Sequence, residues 1–240
     1  MTPQIIYEDN HILIVYKPPG ILSQGDSSGK DSMIDILKSY IKEKYKKSGE
    51  AFIGLVHRLD LPVSGLMVFA KTSKAARRLH LEIINGSMDK YYTAIIEKEL
   101  VVDNEWHKLE NFLTRINDKT IIDKKINKHS KKSELYYSTI ASLQGYSFIL
   151  IKLETGRKHQ IRAQISSLDA PIVGDKKYGS THSLNNSICL HSTILSFNHP
   201  TLKDKMVFFS DIPVIFTKFI KIDLNIIKDN IYELINKFKI

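Results

Sequence analysis

"GLVHRLDLPVSGLMVFAKT", residues 54–72, decides how this chain is read. An apolar run leads into His57, Arg58, Leu59 and Asp60. Pro62, Ser64 and Gly65 then mark a turn, and a second apolar run follows. Pro62 restricts Leu61 to extended backbone and ends the first run. The spacing predicts a strand, a corner carrying Asp60, and a second strand rich in branched and aromatic residues. An acid at such a corner has two readings: it caps N–H groups of the turn, or it faces a cleft.

Outward from this stretch, strand-like runs recur at 11–17 ("HILIVYK"), 64–72, 90–97 ("KYYTAIIE"), 133–140 ("SELYYSTI"), 145–154 ("GYSFILIKLE") and 187–197 ("SICLHSTILSF"). All are bounded by turn-forming residues. Helical periodicity is scarcer. Residues 31–47 put Met33, Ile34, Leu37 and Ile41 on one face, and Ser73 is placed to cap "KAARRLHLEII". Near the C-terminus Leu224, Ile227, Ile231, Leu234 and Phe238 recur at helical spacing. Many strands, few peripheral helices and no strict β-α-β alternation predict an α+β fold with a mainly antiparallel sheet. No repeat, linker or composition break divides residues 1–240, so a single domain is expected. The lysine-rich segment 117–133 reads either as a solvated connection or as a basic arm for phosphates.

Lys and Arg number 35 against 26 acids in 240 residues, a formal charge of +9. That surplus points to a polyanionic partner, nucleic acid first, or to a lysine-rich solvated surface. The lone cysteine, Cys189, excludes an intramolecular disulfide and a multi-cysteine zinc site. Its apolar setting fits a buried structural thiol. No apolar run approaches ~18 residues, and the N-terminus lacks a secretion-signal pattern. A cytoplasmic protein that does not span the membrane is expected.

Several chemistries fail at the level of spacing. In "GDSSGKDS" (25–32) three residues separate Gly25 from Gly29 where a phosphate-binding loop needs four, and Asp31 stands where Ser or Thr should be. The nine histidines form no metal-binding pattern, so no metal is expected, and a Gly-x-Ser-x-Gly elbow is missing. What stands out instead is "LETGRKHQIRAQISS" (153–167). Arg157, Lys158, His159 and Arg162 crowd a helix start, where the dipole prefers anions. Either the cluster is surface-exposed, or an anion lies opposite. Turn-rich "APIVGDKKYGS" (170–180) and apolar "CLHSTILSFNHP" (189–200), with His191 and His199, complete the series.

In this order the stretches resemble the RluA-type pseudouridine synthases. The matching blocks are "YEDNHILIVYKPPG" (7–20), His57–Asp60 with Ser64–Gly65 and Ala70–Thr72, Lys-x-Tyr-x-Ala (90–94), "TGRKHQIR" (155–162), "PIVGDKKYG" (171–179) and "LHSTILSFNHP" (190–200). His57 favours the RluA type over its RsuA-type sibling, which usually has Gly there. Leu61-Pro62-Val63 departs from the polar run usual after the acid. The resemblance implies a single catalytic domain with a curved, mixed, mainly antiparallel sheet and a central cleft. Many relatives also carry an N-terminal S4 domain, which is not expected here because the match starts almost at Met1. It also implies isomerisation of uridine to pseudouridine in ribosomal or transfer RNA without cofactor. A monomer with no obligate protein partner is the accompanying expectation.

For the site, the resemblance names Asp60, Tyr92 and Arg162 as catalytic. His57, Arg58, Arg157, His159, Gln160 and Ile161 are expected to bind substrate. Asp60 would act at ribose C1′ as nucleophile or as stabiliser of an electron-poor sugar. Arg162 would hold its charge, Tyr92 would pack on the uracil, Ile161 would form part of an apolar floor, and Arg58 could fill the stack left by a flipped base. An isomerase that keeps its leaving group and admits no water needs only one carboxylate. The alternative is an RNA-binding or RNA-folding protein on the same fold, with secondary isomerase activity.

Overall fold

The structure, a computed structural model, describes residues 2–27, 29–46 and 48–238. In chain order the elements are β1 (Gln4–Glu8), β2 (Ile12–Lys17), α1 (Met33–Lys44), β3 (Gly54–Leu55), β4 (Ser64–Ala70), α2 (Ser73–Ile84) and β5 (Asp89–Ile96). Then come β6 (His107–Ile116), β7 (Lys119–Ile122), β8 (Lys131–Leu143), β9 (Tyr146–Leu153), α3 (Gln160–Ser166), β10 (Leu190–Asn198), β11 (Lys205–Phe209) and α4 (Leu224–Phe238). The α+β class is as expected from the sequence. Among the described residues no helix is long and apolar enough to cross a membrane.

Within the expected single domain two compact units separate: Met1–Lys90 with Ser192–Ser210, and Tyr91–His191 with Asp211–Ile240. Their boundaries cut through β5 and β10 rather than through a linker. For that reason no shift in composition marks them.

In the first unit the strand order is β1-β2-β4-β10, with β11 on β10 and β3 on β4. The β1–β2, β2–β4, β3–β4 and β10–β11 pairings are antiparallel. Side chains two apart share a sheet face. Ile12 and Ile14, then Leu66, Val68 and Ala70, then Leu195 and Phe197 accordingly build one core, which Ala75 and Leu79 of α2 help to fill. Thr72 rather than Ser73 caps α2: its Oγ1 accepts the Ala75 N–H at 3.1 Å. On α1 the buried side chains are Met33, Ile36, Leu37 and Ile41, so Ile36 takes the place expected for Ile34.

Gly65 sets how closely β4 approaches β10. Its φ is +118°, and a Cβ there would lie 2.3 Å from the Ser192 carbonyl oxygen. Only glycine fits that close backbone passage.

The second unit has strand order β5-β9-β8-β6-β7, with each neighbouring pair antiparallel. Phe148, Ile149, Leu150 and Ile151 of β9 are wholly buried. Segment 117–133, expected as a connection, contains β7 and the start of β8. Cys189 is buried, and burial pushes its thiol up to about 12, as befits an inert structural thiol. On α4, Ile227, Ile231, Leu234 and Ile235 face inward. The Trp106 indole N–H donates to the Leu234 carbonyl at 3.2 Å, tying this helix down.

Candidate active site

In the first unit the expected residues cluster around one corner. The Val63 N–H donates to the Asp60 carbonyl at 3.0 Å, closing a turn over Leu61 and Pro62. Lys17, the last residue of β2, lies opposite Gly65 in the register. Its ammonium donates to the carbonyls of Pro18, Leu61 and Val63 at 3.0, 3.2 and 2.7 Å. Those three acceptors match its three N–H bonds, although the side chain is fully buried. Burial pushes the Lys17 ammonium down to about 7, opposed by the attraction of Asp60.

Three further hydrogen bonds, from Gly20 and Ser23, finish the clamp. The Gly20 N–H donates to the Leu61 carbonyl at 2.8 Å. Ser23 Oγ donates to the Leu59 carbonyl at 2.7 Å and accepts the Leu59 N–H at 3.0 Å. Asp60 is thus half-buried on a backbone held from both sides, with Arg58 exposed beside it. Leu61-Pro62-Val63 leaves this scaffold intact, because every tie runs through backbone atoms.

His57, expected to bind substrate, has a structural duty. Its Nε2 accepts the Val68 N–H at 3.1 Å. Desolvation and the nearby Lys90 push the ring down to about 3, so it is neutral and carries its proton on Nδ1. His199 is similarly engaged: its Nε2 lies 2.7 Å from Asp9 Oδ2, while its Nδ1 accepts the N–H groups of Thr201 and Leu202.

The second unit holds the other candidates. Tyr92 lies in β5 opposite Ile151 and is 5% exposed. Ile161 and Arg162 are buried on α3, whereas Arg157 is exposed. Arg162 is buried against an acid that the sequence did not single out. Its Nε and Nη2 donate to Asp175 Oδ2 and Oδ1 at 2.6 and 2.8 Å. Its guanidinium also stacks 5.0 Å from the centre of the Tyr178 ring.

Gln160 and His159, both expected to bind substrate, make hydrogen bonds within the second unit. The Gln160 Oε1 accepts from Thr155 Oγ1 and the Arg157 N–H, and its Nε2 donates to the Glu134 carbonyl. His159 starts α3 with φ of +54° and sets its Nδ1 3.0 Å from the Tyr178 hydroxyl.

Lys17, Asp175 and Tyr178 fall within the matching blocks, but no role for them was expected. Lys17 did carry a signal: it is in phase with the buried Leu13 and Val15 on β2. A cation on the buried face of a strand needs acceptors.

A sequence profile described as RNA pseudouridylate synthase matches residues 11–167. The dual-specificity RNA pseudouridine synthase RluA of Haemophilus influenzae is 32% identical over 215 residues, covering 85% of this chain and 90% of that protein. The ribosomal large subunit pseudouridine synthase D of Borreliella burgdorferi is 32% identical over 244 residues, with 98% and 74% covered. Against other bacterial relatives the chain spans 65% to 70% of their length. Among solved structures, human RNA pseudouridylate synthase domain containing 4 superposes with a TM-score of 0.73 at 21% identity. That match covers 89% of this chain and 90% of the human one, and shows a shared fold. The chain belongs to the RNA pseudouridylate synthase family, and its type is that of RluA. It is therefore an isomerase, and a purely RNA-binding role is not favoured.

Proposed function

We propose that the protein converts uridine to pseudouridine in ribosomal or transfer RNA, with Asp60 acting at ribose C1′ on a flipped-out base. The C1′–N1 bond breaks, the uracil turns, and C1′ bonds to C5. The C5 proton leaves and N1 takes one up, so composition is unchanged. Tyr92 packs against the ring, and Arg162 stabilises the reacting charge. Arg58 fills the vacated stack, and flipping costs a few kcal/mol, least for unpaired uridines. In this reading the protein is a cytoplasmic monomer that needs no cofactor and no obligate protein partner.

The observation that carries the reading is the Asp60 corner. A half-buried carboxylate stands on backbone fixed by Lys17, Gly20 and Ser23. Such preorganisation suits a group that must meet one carbon atom. The names of the two 32% identical relatives support the RNA substrate class.

The test is Asp60→Asn, which keeps size and removes charge. Tritium release from RNA carrying 5-tritiated uridine should vanish while folding and RNA binding persist. Equal release by variant and parent would overturn the assignment. Carbodiimide mapping of RNA from cells with and without the gene would identify the uridine.

A further inference from the structure

Arg162 is held by more than its charge requires. Compensating a buried guanidinium takes one carboxylate; here the acid meets it side-on through two parallel hydrogen bonds, and an aromatic face lies alongside. Asp175 and Tyr178 come from one short loop that is itself fastened. The Asp175 N–H donates to the Ile172 carbonyl at 2.9 Å, and the Asp175 carbonyl accepts the N–H groups of Tyr178 and Ser180 at 2.9 and 3.1 Å. Gly179, with φ of +103°, lets the chain turn away directly after Tyr178.

The loop is also tied to its surroundings. The Tyr178 hydroxyl accepts the Thr120 N–H at 2.9 Å, and Ser166 Oγ on α3 donates to the Tyr178 carbonyl at 2.7 Å. Asp175 and Arg162 side chains are 1% and 6% exposed, so water does not loosen the pair.

We infer that Asp175 and Tyr178 are positioning residues: they fix the plane of the Arg162 guanidinium and present its Nη1 edge, opposite Asp175, in a single orientation. This rests on the proposed role of Arg162 in the isomerisation. A cation already oriented need not reorganise as charge develops in the reaction. "PIVGDKKYG" then has a purpose beyond turning the chain: it delivers the acid and the ring that aim the arginine.

The test combines kinetics with a direct view of the guanidinium. In the parent, the Arg162 Nε–H should give a slowly exchanging, downfield nitrogen-15 NMR signal. Asp175→Asn should abolish that signal and lower the single-turnover rate at saturating RNA by about 100-fold, the scale of a misplaced reacting group. Half-saturation by RNA should not move.

Should Asp175→Asn fail to fold, Asp175→Glu keeps the charge and shifts it by one methylene. It is expected to shift the signal and lower the rate at an unchanged melting temperature. In an Arg162→Lys background, which has no fork to orient, Asp175→Glu should cost nothing more. Parental rates in the Asp175 variants would overturn the inference, as would a loss confined to RNA half-saturation. No tritium release from the parent would overturn the functional reading and the catalytic meaning of the clamp together. That outcome is told apart because the Arg162 signal would still be present.

Discussion

Lys17 Nζ donates to the Val63 carbonyl at 2.7 Å across 46 residues of sequence, and so fastens the end of β2 beneath the Asp60 turn. The bond explains why an unusual Leu61-Pro62-Val63 is tolerated after the acid. The lysine reads carbonyl oxygens, which every residue type supplies.

Lys17→Met fills the same space and leaves those carbonyls without their ammonium. A loss of about 2 kcal/mol or more is expected, typical of buried polar groups deprived of a partner. The pH dependence carries a sign. The folded-state pKa, about 7, lies below the value of about 10.4 for a free lysine. Between these values the unfolded chain binds more protons, so this group makes stability rise with pH. Urea melts of parent and variant from pH 6.5 to 9.5 should show the gap widening with pH. A constant gap would mean that the carbonyls keep the ammonium charged throughout.

His57 should remain neutral well into acid. Its folded-state pKa of about 3 lies below the ordinary 6.5, so its contribution to stability is complete above 6.5 and is lost as pH falls towards 3. Long-range proton–nitrogen spectra should show the Nδ1–H tautomer unchanged between pH 8 and 5. A ring titrating near 6.5 would refute the bond to Val68.

Gly65→Ala should cost at least about 3 kcal/mol, the upper range for overpacking, because its Cβ would meet Ser192 backbone at 2.3 and 2.5 Å. Urea unfolding measures it. A variant as stable as the parent would mean that β4 and β10 part without cost.

RNA affinity should depend on the 117–133 segment. Lys124, Lys125, Lys128 and Lys131 are exposed. Lys132, in the same segment, pairs with Glu110 and Glu134 at 3.0 and 3.8 Å. Neutralising the first four should weaken binding to many RNAs and flatten its salt dependence by a log–log slope of about 0.7 to 0.9 for each phosphate left without its lysine. Lys132→Gln should do less. Single-turnover rates at saturating RNA should stay at the parental level. An unchanged slope would make the segment plain solvated surface.

The six strand runs read from the sequence all appear, because each is an apolar, β-branched or aromatic stretch bounded by turn residues, a pattern visible whatever strand it later pairs with. β6 was not legible: most of His107–Ile116 is exposed or half-buried, and Lys108 and Glu110 interrupt its pattern. β7 hid in a lysine-rich segment for the same reason. At the site, the turn chemistry of Pro62 and Gly65 made the Asp60 corner readable. The roles of Lys17 and Asp175 were not readable. A buried ion declares its function only through its acceptors, and those of Lys17 include residues 44 and 46 positions away.

The interleaved units also impose an order on synthesis. Ser192 Oγ donates to the Leu66 carbonyl 126 residues earlier in the chain. At about 5–20 residues per second, a ribosome needs about 6–25 s to add the strand that closes over β4. Throughout that interval a mostly apolar strand, Ser64–Ala70, buried at every position in the folded protein, waits on the nascent chain for its neighbour. Slow translation between codons 70 and 190 therefore lengthens the exposure of a sticky edge. Trigger-type holdases, or faster codons in that window, should raise the yield of folded protein. The Asp60 corner is made early and sheltered late.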